Sequence, residues 1–153
     1  MLGLLLLAVV TAGTDDWSSY TNVRYGFTAC YPRAVLVPQP EAANSDGRKF
    51  AAADGAELAA YGATAGPDGF HGELRLFEAD IVKAGGKITY RASGKTWGVI
   101  SGETRTKTYY IKALSRGDQV LVFNFEYPNS AAGKYNPIVS AMSKCFRAGA
   151  PGY

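Results

Sequence analysis

The sequence predicts an α+β fold: an antiparallel β-sheet of about six to eight strands sandwiched between helices. Three observations lead there. Short apolar segments separated by Gly-bearing turns run through residues 87–127. An Asp-Gly pair, Asp54-Gly55, separates two further segments of that kind, and only two stretches, starting near Phe70 and Asn136, switch to a helical period. Turns this short join antiparallel neighbours, because a parallel pair needs a crossover of about a dozen residues or more. The chain has 153 residues, 47% hydrophobic and 19% charged, which fits one domain with a proper core and excludes collagen, coiled coil and wholesale disorder.

Taken in order, the chain begins with an apolar run, Leu2 to Val10, then the small residues Thr11, Ala12 and Gly13 before Asp15 and Asp16. That layout predicts a secretory signal over 1–13 and a mature domain over 14–153. At ~1.5 Å per helical residue the run is too short for a hydrocarbon layer of about 30 Å, so no transmembrane span is expected. No Lys or Arg precedes the run, as a secretory signal ordinarily has, and no Cys stands near the cleavage point to carry a lipid. The expectation is an exported protein, periplasmic or extracellular.

Tyr20 to Arg24 and Phe27 to Tyr31 read as two strands, with Gly26 as a bend between them and Pro32 closing the second. Pro38 to Gly47 is loop by composition. Arg48 to Ala53 and Ala56 to Ala63 then flank Asp54-Gly55, a pair that supplies the positive φ angles of a tight hairpin. Phe70, Leu74, Phe77 and Ile81 recur at helical spacing, and Gly85-Gly86 follows as a helix stop. Four strands come next, Lys87 to Ala92, Thr96 to Ser101, Thr106 to Ser115 and Gln119 to Tyr127. In the last, Leu121, Phe123, Phe125 and Tyr127 share one face while Val120 and Val122 take the other, so both sides of the sheet are expected to be covered. Asn136 as N-cap and Pro137 at the first helical position predict the final helix, whose stripe holds Ile138, Met142 and Cys145.

Two cysteines, Cys30 and Cys145, in an exported chain predict a disulfide tying the early strands to the last helix. The residues for several chemistries are missing. A single histidine, His71, leaves few acid–base or metal options, and its place beside Asp68 and Glu73 at a helix start suits a surface or capping role. Gly-x-Ser-x-Gly and Walker-type loops do not occur, and neither zinc nor another cofactor is expected. Asn44-Ser45-Asp46-Gly47 resembles the middle of a calcium loop, but Ala42 and Ala53 stand where its acidic ligands belong. Irregular calcium binding by Asp46, Asp54 and Glu57 stays open as an alternative.

Charge is unevenly placed. Residues 1–82 hold five basic and ten acidic side chains, whereas residues 83–116 hold eight basic ones against Glu103 alone. In antiparallel order the turns at Ser93-Gly94-Lys95 and Arg116-Gly117-Asp118 fall at one end of the sheet, about 10 Å apart. Arg91, Lys95, Lys112 and Arg116 are expected to gather there, with Tyr110 sharing the Lys112 face as an aromatic floor.

The opening strands, Asn22-Val23-Arg24-Tyr25-Gly26-Phe27 with Tyr31-Pro32, are similar to the "N-x-x-Y-G-F…Y-P" start of the PsbP/Mog-type family. Trp97 to Gly102 resembles that family's mid-meander strand, and Ser143-Lys144-Cys145-Phe146 stands where its last helix ends, with Cys145 in place of the commoner Ser. The resemblance spans nearly all of the mature chain. It implies an antiparallel sheet between helices and a role among accessory, docking and inhibitor-like proteins, mostly not enzymes. The reading is therefore a non-enzymatic exported protein that binds an acidic protein partner through the basic end of the meander, and not nucleic acid. The alternative is a small-ligand or calcium-binding periplasmic module with a pocket near Tyr90, Trp97 and Tyr109.

Overall fold

A computed structural model describes residues 16–149, so the expected signal segment at 1–13 lies outside the described residues. Ten strands and two helices follow one another. β1 (Trp17–Asn22), β2 (Phe27–Pro32), β3 (Val37–Pro38), β4 (Gly47–Ala51) and β5 (Glu57–Thr64) precede α1 (Gly69–Lys83). The meander is β6 (Lys87–Ser93), β7 (Trp97–Glu103), β8 (Lys107–Arg116) and β9 (Gln119–Pro128). A short 3-10 turn (Asn129–Ala131) leads into α2 (Ala132–Cys145), and β10 (Arg147–Ala148) ends the described chain.

Seven strands form the main sheet in the order β3-β4-β5-β9-β8-β7-β6, all antiparallel, and β1-β2-β10 make a second, smaller sheet. This is the α+β architecture the sequence predicts. The hairpin at Asp54-Gly55 forms as expected, but Gly55 alone takes a positive φ, 94°, in a three-residue loop closed by Ala52 N donating to Ala56 O at 2.9 Å. α1 stops as expected too: Gly86 N donates to Ile81 O and Gly85 N to Val82 O, both at 2.9 Å, with Gly85 at φ 81. That pair of bonds satisfies two of the last carbonyls of the helix through a residue that accepts the left-handed conformation.

Both faces of the main sheet are covered. On one, Phe70, Leu74 and Ile81 of α1 pack on Ile100, Ile111, Val120 and Val122. The helix approaches closely because β7 presents Gly98, where a Cβ would stand 2.6 Å from Leu74 Cδ1. On the other, the small sheet and α2 bury Phe27, Phe50, Phe123, Phe125, Tyr135 and Phe146. Each such aromatic removed from water contributes about 2–3 kcal/mol. Asn22, fully buried, fastens the β1–β2 turn to the 39–46 loop: its amide donates to Ser45 O at 2.9 Å and its Oδ1 accepts from Tyr25 N at 2.8 Å.

Two local expectations change. α2 starts at Ala132, not at Asn136, and Pro137 lies inside it. The cause is Tyr135, which is fully buried against Phe125 and Tyr127 and donates to Asp54 Oδ2 at 2.7 Å, holding the preceding turn helical. Pro137 then costs only the bond to the carbonyl of Gly133, an exposed residue that water can serve. Asn136 Oδ1 accepts from Tyr127 Oη at 2.6 Å instead of capping. The segment read as loop also yields β3, whose Pro38 is tolerated because the strand lies at the sheet edge.

Candidate functional site

Cys30 and Cys145 are bonded, with 5.7 Å between their Cα atoms, which ties β2 to the end of α2. The basic residues singled out in the sequence stand around this joint, with one exception. Lys112, half-buried on β8, donates from Nζ to Ser143 O at 2.6 Å and Phe146 O at 3.0 Å. Its ammonium thus sits at the negative end of the α2 dipole, and burial holds its pKa below the ordinary lysine value. Tyr110, two residues earlier on the same face, hydrogen-bonds through its hydroxyl to Ser143 Oγ at 2.8 Å. Arg116 donates to Tyr25 O at 2.5 Å and also to Gly26 O, bridging the sheet end to the β1–β2 turn. Lys95 is exposed in the β6–β7 turn, and the Ser115 N to Thr96 O bond, 2.8 Å, extends the ladder so that Lys95 falls beside Arg116.

Arg91 is the exception. Its rung holds Ile100 and Ile111, which belong to the α1 core, and its guanidinium pairs with Glu78 of α1. The register shift between Ile88 and Tyr90 inserts Thr89 and turns Arg91 to that side.

Three cations that sequence reasoning did not find join Lys95, Lys112 and Arg116. Arg24, in the β1–β2 turn, lies over the Tyr25 ring at 5.1 Å and donates to Asn44 O. Arg147 of β10 donates to Cys145 O at 3.1 Å, and Lys144 is exposed one residue before the disulfide. The signal was absent from sequence because these residues meet only through the bridge and the pairing of β10 with β2. Among the described residues, none of these six cations has a carboxylate within 4.0 Å, whereas of the other ten Arg33, Lys49, Arg75, Lys87, Arg91, Lys107 and Lys134 do and Arg48, Lys83 and Arg105 do not. Backbone carbonyls position four of the six, and carbonyls leave their charge uncancelled. Asp118, exposed in the β8–β9 turn, lies at this end, and Asp46 accepts from the amide of Asn44, whose carbonyl Arg24 holds.

The residues of the alternative readings stand apart. Tyr109 faces α1 while Trp97 and Tyr90 lie on the opposite face, so the three do not line one pocket. Asp46 accepts from the Asn44 amide, Asp54 from Tyr135 and Lys134, and Glu57 pairs with Lys49. No group of three or more His, Cys, Asp or Glu side chains among the described residues is placed to hold a metal ion. His71 is exposed at the start of α1, its ring 4.1 Å from that of Phe70, on a cleft of about 360 Å³ with Arg75, Glu78 and Arg91. A second cleft of about 390 Å³ runs beside β4 and β5, between Gln39, Lys49 and Tyr61. No described helix is long and apolar enough to cross a membrane.

No family model and no curated protein matches the sequence. Among solved structures, the chain is similar to the solution structure of cyanobacterial PsbP (CyanoP) from Synechocystis sp. PCC 6803. The TM-score is 0.65 at 10% identity, over 94% of this chain and 98% of that one. The likeness shows a PsbP-like fold, as the opening strands and meander suggested.

Proposed function

We propose that this chain is a non-enzymatic accessory protein, working outside the cytoplasm, that docks on an acidic protein surface. The observation that carries the reading is the collection of Arg24, Lys95, Lys112, Arg116, Lys144 and Arg147 at one end, without carboxylate partners among the described residues, while seven of the ten cations elsewhere are paired. Cations without carboxylate partners on a rigid frame steer an anionic partner and form charge-assisted hydrogen bonds without first breaking an internal ion pair. Tyr110 and Lys112 fix the α2 terminus beneath this surface, and Lys95 and Arg116 present it. Arg91 lies on the other face and takes no part. The PsbP-like fold agrees with an accessory role, and the disulfide and apolar leader agree with export.

The test is cross-linked co-purification from the source envelope with wild type and with Lys95→Glu/Lys144→Glu, two exposed positions that make no side-chain hydrogen bond among the described residues. The reading expects a partner with an acidic face, bound at least about tenfold more weakly by the variant at unchanged thermal midpoint. Equal capture by both proteins overturns it.

A further inference from the structure

Tyr90 and Trp97 are 56% and 39% exposed, although both lie on the sheet face that α2 covers farther along. α2 packs on β2, β9 and β8, and β6 and β7 extend past it. The register places Tyr90 on a rung with Ser101 and Tyr110, Ala92 with Val99 and Lys112, and Trp97 with Leu114. Exposed Tyr90 and Trp97 and half-buried Ala92 and Leu114 therefore form an apolar strip about 13 Å long, at ~3.3 Å per residue along the strands, with Val99 buried at its middle. Lys112, Arg116 and Lys95 border it. Glu103 is the sole acidic residue of 83–116, and Lys87 holds it at 3.3 Å.

Trp97 is seated rather than free. Its indole lies across the β6–β7 turn on Gly94, where an added Cβ would stand 2.3 Å from Nε1 and 3.0 Å from Cδ1 and Cε2. The ring thus rests by its N–H edge against the turn backbone while the residue stays 39% exposed, and its N–H donates to no described residue.

We propose that this strip is the apolar centre of the docking surface and that it receives a segment of an acidic protein in which an apolar side chain is flanked by carboxylates. The inference rests on the reading of the basic end as a docking surface and adds what the partner must carry. A fixed aromatic anchor inside a ring of charges is where binding energy concentrates in protein interfaces, because the ring keeps water from the buried contact. The cationic border selects carboxylates beside the apolar group.

Two synthetic peptides of equal charge test it, one with a leucine pair and one with a serine pair, each between runs of aspartate. Affinity is read by fluorescence anisotropy and contact by the Trp97 indole N–H resonance. The leucine peptide is expected to bind about tenfold more tightly and to shift that resonance. Gly94→Ala, which displaces the indole without changing charge, should abolish the difference and leave serine-peptide binding intact; Trp97→Ala should do the same. Equal affinity of the two peptides for wild type, or a leucine advantage that survives in both variants, overturns the strip while leaving the basic end standing. Failure of both peptides to bind in a way that Lys95→Glu weakens overturns the docking reading and this inference together.

Discussion

Replacing Cys30 and Cys145 by serine removes a bridge that spans 115 residues of chain. For a loop of that size the chain-entropy relation gives about 4.8 kcal/mol at 25 °C. How much of that is seen depends on whether the joint keeps its shape without the bond, and three contacts say that it does. Phe146, 1% exposed, lies between Phe27 and Phe123 with ring centroids 5.6 and 5.5 Å away. Lys112 holds the carbonyls of Ser143 and Phe146, and Arg147 and Ala148 pair with Thr28 and Phe27. The cost therefore falls on the unfolded state, and we expect a loss of about 4 kcal/mol, a large share of the ~5–15 kcal/mol typical of a domain. Urea unfolding followed by fluorescence and circular dichroism should show a lower midpoint and a steeper denaturant dependence, because the uncrosslinked chain exposes more surface. The near-ultraviolet spectrum in buffer should not change. A loss below about 1 kcal/mol, or a collapsed near-ultraviolet spectrum without urea, refutes the reasoning.

Tyr135→Phe removes the donor to Asp54 and should cost about 1–2 kcal/mol, the lower end for a charged acceptor because that carboxylate is 30% exposed. Burial pushes the Asp54 pKa up, but hydrogen bonds from Ala56 N–H, Tyr135 and Lys134 together hold it below its ordinary 3.8. Its contribution is therefore present above that pH and lost as pH falls through the folded value, so acid unfolding curves of the variant should be flatter there than those of wild type. Gly98→Ala drives a methyl to 2.6 Å from Leu74 Cδ1 and 3.0 Å from Phe70 Cε2, and should cost about 1–3 kcal/mol by lifting α1, measured as a fall in thermal midpoint. An unchanged midpoint contradicts the close helix–sheet contact.

Most of the fold was legible because its signals are local. The Asp54-Gly55 turn, the Phe70–Ile81 stripe and the Gly85-Gly86 stop each act within a few residues, and the meander turns leave one pairing available. What escaped depends on distant parts. Pro137 reads as a helix start, yet the pull of the buried Tyr135 on a strand pair far back in the chain overrides it. The one-residue bulge at Thr89 reverses the face of Arg91, and nothing in Lys87 to Ser93 marks it. The candidate site was half legible for the same reason. The charge of 83–116 is plain in the sequence, but Arg24, Lys144 and Arg147 reach it through the disulfide and the smaller sheet.

Hydrogen exchange on the cross-linked complex tests the central claim most directly. The account predicts slowed exchange over 23–26, 93–97, 114–118 and 143–149, with α1 exchanging as in the free protein. Protection confined to α1 and the cleft of His71 and Arg91 would contradict it.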